Sequence, residues 1–349
     1  MRTIYVDAST PYDVHIGSGI LKEAGELIKN VIKPCRVMIV SDDIVFPLYG
    51  DAVIASLLAA GYTCESFVFE NGEERKRLST VEAIIEKMAE EHFTRSDIIV
   101  ALGGGVVGDM AGFAASIFLR GISYVQIPTT LLAAVDSSVG GKTAVDLSRG
   151  KNLCGAFWQP RMVLCDTDTL GTLKEINVQD GLSEMLKYGV ICDKELFYKV
   201  KDYKNNDMEA LIARCVEIKR DIVAEDEYDR GTRMLLNLGH TIGHAVEAAS
   251  NFTITHGHGV AIGMAIIARA AEEICLADTG MAKEIEDALV ALGLPTKTDY
   301  DSQLLADLTL SDKKSSGNTI KLIIPMGIGN TEVQEYFRTE VFGFIEAGR

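Results

Sequence analysis

Short apolar runs of strand length recur through the first half of the chain, separated by stretches with helical spacing. RVMIVSDD (36–43), CESFVFE (64–70), DIIVALGGG (97–105), SYVQIPTT (123–130) and RMVLCDTD (161–168) are apolar runs, several of them unbroken. Strands buried on both faces read this way. TIYVD (3–7) and YDVHIG (12–17) read as a strand pair, and VEAIIEKMAEEH (81–92) follows a helical period. This alternation predicts an α/β domain with a mostly parallel sheet covered on both faces. Beyond residue 173 the texture changes. SEMLKYGVI, DMEALIARCVEIKRDIVAE, GTRMLLNLGHTIGHAVEAA and HGVAIGMAIIARAAEEICLA all follow helical periodicity. TIKLIIP (319–325) and TEVQEY (331–336) predict one late hairpin around GIGN. The pattern therefore predicts two domains, residues 1–173 and a largely α-helical 174–349.

Composition agrees with that division. A chain of 349 residues exceeds one ordinary core. Its 47% hydrophobic and 24% charged residues are a globular balance, not a disordered one. No apolar run follows the N-terminal arginine, and the longest apolar stretch (259–268) is too short to span a bilayer. Seven cysteines without paired spacing read as thiols in a reducing compartment. The expectation is a cytoplasmic protein with no membrane segment. The net charge of −16 disfavours nucleic acid as a partner. An acidic chain that binds an anion must gather its lysines and arginines locally.

DIIVALGGGVVGDMAGFAAS (97–116) runs strand, glycines, helix. Gly103, Gly105 and Gly108 satisfy the G-x-G-x-x-G spacing in the context that it requires. Such a turn lets a pyrophosphate approach, and the helix start offers free N–H groups and a positive dipole end. A tight turn that binds nothing is the alternative. Two features depart from the usual dinucleotide fingerprint: the turn does not follow the first strand, and the next strand, SYVQIPTT, ends without an acidic residue. Asp42 and Asp43 end the earlier strand and offer acceptors for a ribose hydroxyl. GGKT (140–143) is no P-loop, because Asp136 stands where that motif needs glycine. Lys142 reads instead as a charge for a bound anion or cofactor.

Four of the six histidines, His240, His244, His256 and His258, lie close together in the chain. His15 and His92 read as ordinary strand and helix positions. A lone helical histidine is most often simply hydrogen-bonded, but four so close amid glycines point to a metal or catalytic site. In NLGHTIGHAVE (237–247) His240 and His244 are one turn apart, which leaves open whether both bind one metal. A catalytic zinc site takes three protein ligands and keeps one position open, so a carboxylate is wanted. Glu184, in GLSEMLKYG (181–189), is the candidate, read as beginning an apolar helix where charge is costly unless paired. A first-turn glutamate favoured by the helix dipole is the equal alternative.

GGGVVGDMAGFAAS, FLRGISYVQIPTTLLAAVDSSVGGKTAVD, GKNLCGAFWQP, GLSEMLKYG, RMLLNLGHTIGHAVE, HGHGVAIGM and SDKK together resemble the 3-dehydroquinate synthase family, within the sugar-phosphate cyclases. The resemblance runs from about residue 70 to 314. It implies an N-terminal NAD-binding, Rossmann-like α/β domain, a helical C-terminal domain, a divalent metal (zinc or cobalt) between them, and a homodimer. Its metal ligands correspond to Glu184, His240 and His256. His244 corresponds to a residue of the substrate and phosphate environment, with Asn237 also facing substrate from the same helix face. Asp136, Lys142, Lys187, Lys219, Arg233, Lys151, Asn152 and one or both of Lys313 and Lys314 correspond to other substrate contacts. Arg120 corresponds to an arginine that reaches the phosphate of the neighbouring subunit's substrate. The NAD positions correspond to Asp42, Glu73, Lys76, Gly104, Gly105, Asp109, Thr129, Thr130 and Thr172, with Lys142 and Lys151 shared.

The activity implied is conversion of 3-deoxy-D-arabino-heptulosonate 7-phosphate to 3-dehydroquinate and phosphate, a step of the shikimate pathway, with NAD recycled in each turnover. One alternative is a cyclase acting on sedoheptulose 7-phosphate or glucose 6-phosphate. Asn237 and the SDKK lysines oppose it, because the sedoheptulose cyclases resemble this pattern but change those positions. A metal-dependent polyol dehydrogenase is the other alternative, and its substrate has no anion to require these cations.

Overall fold

The computed structural model describes residues 1–311 and 318–349. The chain divides into two compact units, residues 1–173 with 216–228, and residues 174–215 with 229–349.

The first unit carries β1 (Arg2–Val6), β2 (Tyr12–Gly17), α1 (Ala24–Lys29), β3 (Arg36–Asp42), α2 (Phe46–Ala59), β4 (Thr63–Phe69), α3 (Leu78–Glu90), β5 (Ile98–Gly103), α4 (Gly105–Ile117), β6 (Ser123–Pro128), β7 (Lys142–Leu147), β8 (Gly150–Phe157) and β9 (Met162–Asp166). Seven strands form one sheet in the order β1-β2-β9-β6-β5-β3-β4. Only the β1–β2 pair is antiparallel. The apolar runs explain this sheet. Met38, Val40, Ile99 and Ala101 face one core with α3 and α4, while Val37, Ile39, Ile98, Val100 and Leu102 face another with α1 and α2. Successive strand residues point to opposite faces, so a strand covered on both sides needs both sets apolar. The hairpin β7–β8 is an element the periodicity did not predict. Its faces are mostly exposed or half-exposed, so no apolar run marks it.

The second unit carries α5 (Glu175–Cys192), α6 (Lys194–Lys201), the first part of α7 (Met208–Glu225), α8 (His240–Ala249), α9 (His256–Glu273), α10 (Met281–Ala291), α11 (Ser302–Ser311), the hairpin β10 (Thr319–Gly327) and β11 (Asn330–Phe337), and α12 (Val341–Ala347). Helix α9 is the hub, packed on α5, α8, α10 and α12, and is apolar nearly all round. A helix buried on every side needs that composition. Residues 216–228 fall outside the single boundary expected at 173/174. They group with the first unit, where Lys219 bonds Asp136 and Glu227 accepts from Ser9 and Gln159.

Candidate functional site

In the first unit the glycine turn sits where the sheet's connectivity reverses. From β3 the chain steps outward to β4, then returns to β5 and runs on to β6 in the other direction. Strand ends flanking such a switch point leave a crevice for ligands. Gly103 ends β5, and α4 begins at Gly105 with Gly104 as its N-cap and no side-chain cap. The first N–H groups of α4 therefore have no intrahelical partner. Gly108 lets this helix lie tight on β6, since a Cβ there would stand 2.6 Å from Oε1 of Gln126. Beside the turn, Thr129 is 2% exposed, and its hydroxyl finds no hydrogen-bond partner among the described residues. An unpartnered buried hydroxyl beside an open helix start fits a polar ligand such as a dinucleotide. Thr130 follows, its hydroxyl accepting from the N–H of Ala133 at 3.2 Å. Asp42, at the end of β3, is buried, and its carboxylate accepts from the N–H groups of Ile44 and Val45 and from the Asn71 amide. Thr172 is exposed, with its hydroxyl 2.6 Å from that of Tyr49.

Lys76 is the centre of a second polar group. Its ammonium lies 2.6 Å from Asp109 on α4 and donates to Oδ1 of Asn152 at 2.7 Å. Burial alone would lower the Lys76 pKa, but Asp109, Glu73 and Asp146 together hold it above its ordinary value. Asn152 has a left-handed backbone, φ 55, and its N–H donates to Asp146 at 2.7 Å. Asp146 was missed by sequence reasoning, because a lone acid in a strand carries no signal. Lys151 stands 3.6 Å from Glu73. Lys142 is exposed at the start of β7. Lys219 donates to both the side chain and the carbonyl of Asp136. Arg120 is exposed and lies in a left-handed run, with φ 50 at Leu119, 69 at Arg120 and 117 at Gly121.

In the second unit Glu184 is fully buried on α5. Its Oε1 lies 3.5 Å from Nε2 of His240 and 3.4 Å from Nε2 of His256. Glu184 is not a first-turn residue as the sequence suggested, because α5 already starts at Glu175. The helix dipole therefore does not account for it. Its Oε2 accepts instead from the buried ammonium of Lys187, one turn on. His240 opens α8 after Gly239, whose φ is 78. Nδ1 of His240 donates to the carbonyl of Leu238 at 3.1 Å, and Nδ1 of His256 donates to Glu247 at 3.0 Å. Both tautomers are set by these acceptors, which aim each Nε2 at Glu184.

Two imidazole nitrogens and one carboxylate oxygen, all within 4.8 Å of one another, are a donor set that suits zinc or cobalt. Electrostatics fit the same use. Burial, then Lys187, lowers the pKa of His240 well below its ordinary value. Burial also opposes charge on His256, but Glu184 and Glu247 outweigh it and push that ring up to about 10. A bound cation would replace the His256 proton that faces Glu184.

His244 lies one turn beyond His240, with ring centroids 5.5 Å apart, and 5.8 Å from His256. Asn237 does not share its helix face as expected. It closes a 3-10 turn (Thr232–Asn237), and α8 starts only at His240, because Leu238 and Gly239 break the helix. Arg233 sits in the same turn, 1% exposed. His258 points elsewhere, toward Gln179 at 3.0 Å. Glu247 and Asp180 were not singled out from sequence. Asp180 accepts from the hydroxyl of Thr255 and the N–H of His258, fixing the first turn of α9. Lys313 and Lys314 lie outside the described residues.

Residues 66–180 match the family described as 3-dehydroquinate synthase N-terminal, and residues 181–315 match 3-dehydroquinate synthase C-terminal. The chain is 45% identical over 331 residues to the 3-dehydroquinate synthase of Clostridium beijerinckii, covering 93% of this chain and 95% of that one. Among solved structures it resembles a 2-deoxy-scyllo-inosose synthase complexed with carbaglucose-6-phosphate, NAD+ and Co2+, at 27% identity and a TM-score of 0.87 over 100% of both chains. It also resembles the 2-epi-5-epi-valiolone synthase of Streptomyces hygroscopicus with NAD+ and Zn2+ bound, at 25% identity and a TM-score of 0.88 over 99% of this chain and 98% of that one. The two family matches and the close relative agree over both units, and the chain belongs to the 3-dehydroquinate synthase family.

Proposed function

We propose that this enzyme converts 3-deoxy-D-arabino-heptulosonate 7-phosphate to 3-dehydroquinate and phosphate, with NAD and one divalent metal, zinc or cobalt, as resident cofactors. The observation that carries this reading is the buried Glu184 carboxylate facing Nε2 of both His240 and His256, in a chain of this family. Those three residues would hold the cation. Gly104, Gly105, Thr129, Thr130, Glu73, Lys76 and Asp109 would hold the dinucleotide, with Asp42 shaping the adjacent strand end. When bound, these groups supply a hydride acceptor that is regenerated in each turnover and a Lewis acid for the alcohol undergoing oxidation.

The chain's own side chains bind and orient the sugar phosphate. Arg233 can fork onto a carboxylate or phosphate, whereas Lys142, Lys151, Lys187 and Lys219 act as point charges. Lys219 is held in place by Asp136, and Lys187 by Glu184. His244 donates to the phosphate as it departs, and Asn152 and Asn237 orient hydroxyls. The phosphate can itself take the proton lost from the neighbouring carbon. The residues thereby favour elimination without a separate base. Lys313 and Lys314 would add charge to the same substrate.

The exposed Arg120, beside exposed Ile117 and Leu119, supports a homodimer in which each subunit lends this guanidinium to its neighbour's substrate. A cytoplasmic setting suits a biosynthetic enzyme of this family. No helix among the described residues is long and apolar enough to cross a membrane.

The test is a turnover experiment with the purified chain, NAD and cobalt or zinc. Equal amounts of phosphate and 3-dehydroquinate should form from the heptulosonate phosphate, with no net NADH. Turnover of sedoheptulose 7-phosphate or glucose 6-phosphate in its place would overturn the reading. Steady NADH accumulation with a simple polyol would point to a dehydrogenase instead.

A further inference from the structure

Glu247 is a buried carboxylate, 2% exposed, to which the reaction described above gives no role. It lies on α8, and its Oε1 accepts from Nδ1 of His256 at 3.0 Å. The glycines of the α8–α9 crossing bring it there. A Cβ on Gly243 would stand 2.8 Å from the carbonyl oxygen of Gly259, and one on Gly259 would meet Cγ of Glu247 at 3.0 Å. The two helix backbones therefore touch, and Glu247 fills the space that a side chain at 259 would take. Asp180 already fixes the turn that carries His256, accepting from Thr255 at 2.6 Å. What remains free is rotation of the His256 ring about its own side-chain bonds. A ring 32% exposed needs a second anchor to keep Nε2 on Glu184.

We propose that Glu247 is the positioning residue of the metal centre, holding the His256 ring so that Nε2 faces the ion. This rests on the reading that Glu184, His240 and His256 hold a divalent cation. Outer carboxylate partners of ligating histidines fix the tautomer and raise ligand basicity, and their loss weakens metal binding by about 10–100-fold. Glu247 itself does not bind the ion in this account. Its Oε1 is committed to the far side of the imidazole.

The experiment is a Co2+ titration of metal-free protein, read by the visible d–d bands and by competition with a chelator. The wild type should bind one equivalent, and Glu184→Ala should bind none. Glu247→Ala should retain a native circular dichroism spectrum while its Co2+ dissociation constant rises about 10–100-fold. Glu247→Gln, whose amide oxygen can still accept from Nδ1, should lose less than Glu247→Asp, whose acceptor is withdrawn by one methylene. If Glu247→Ala does not fold, this Gln-against-Asp order decides. Wild-type affinity and spectrum in the Ala variant, or in the Gln and Asp variants alike, would overturn the role of Glu247 and leave the metal reading intact. Failure of the wild type to bind Co2+ or Zn2+ would overturn both.

Discussion

The ammonium of Lys219 lies 2.5 Å from Oδ1 of Asp136, although the two residues are 83 positions apart. Lys219 also reaches the carbonyl of Asp136 at 2.6 Å. One side chain thus ties residues 216–228 to the first unit and presents a fixed cation. Lys219→Met should lower stability by about 1–3 kcal/mol, as for a charge-assisted bond whose partner is left half-buried. It should also lower kcat/KM by about two orders of magnitude, the kinetic equivalent of a lost contact of about 3 kcal/mol. Urea melts and steady-state kinetics check this. An unchanged melt would refute the tie, and unchanged turnover would refute the substrate role.

His240 and His244 are one turn apart, and Nε2 of His240 faces Glu184, while His244 groups with Glu247 and His256. His240→Ala should therefore purify without stoichiometric metal. His244→Ala should keep the ion and lose rate. Metal content by elemental analysis separates the two, and equal metal loss in both would assign His244 to the ion as well.

Gly263 on α9 packs against the turn before α8. A Cβ there would stand 2.0 Å from the carbonyl oxygen of Gly239, which cannot yield as a flexible side chain would. Gly263→Ala should cost about 1–3 kcal/mol through overpacking and displace His240, which follows Gly239. Thermal unfolding together with Co2+ affinity tests both effects. A variant with the wild-type melting temperature and affinity would show that the crossing can open without loss.

Burial, assisted by Asp97, raises the Cys35 thiol from 9.0 to about 11, and burial, assisted by Glu65, does the same for Cys64. A raised thiol pKa means that the folded state holds its proton more tightly than the unfolded chain. Its contribution to stability is full below pH 9 and disappears as pH climbs toward 11. The urea midpoint should fall across that window in the wild type, and fall less in a Cys35→Ala, Cys64→Ala double variant. Equal slopes would remove these thiols as the cause. At neutral pH a thiol reagent should label the exposed Cys192 and Cys275 before either of them.

The strands were legible because burial on both faces demands apolar residues at consecutive positions, and β3 and β5 supply them without a break. The hairpin β7–β8 was not, because β7 buries Thr143, Val145 and Asp146 without an apolar run and β8 is exposed or half-exposed. The sequence marks Glu184 as a candidate at the start of a helix, whereas it stands mid-helix in α5. A carboxylate in the first turn and one buried mid-helix look alike when the start of the helix is unmarked, and Lys174 gives α5 no side-chain cap. Apolar periodicity that continues through Leu238 puts Asn237 on the His240 helix face in the sequence. The left-handed Gly239 breaks the helix there.

By itself the sequence determined the fold class, the glycine turn and the cluster of histidines, since periodicity, turn chemistry and residue type are local properties of a chain. Only the tertiary structure decided which nitrogen of each histidine faces Glu184, and which carboxylate stands behind His256. Ring orientation depends on acceptors brought in from elsewhere. Leu238 lies two residues from His240, but Glu247 reaches His256 only because glycines let α8 and α9 touch.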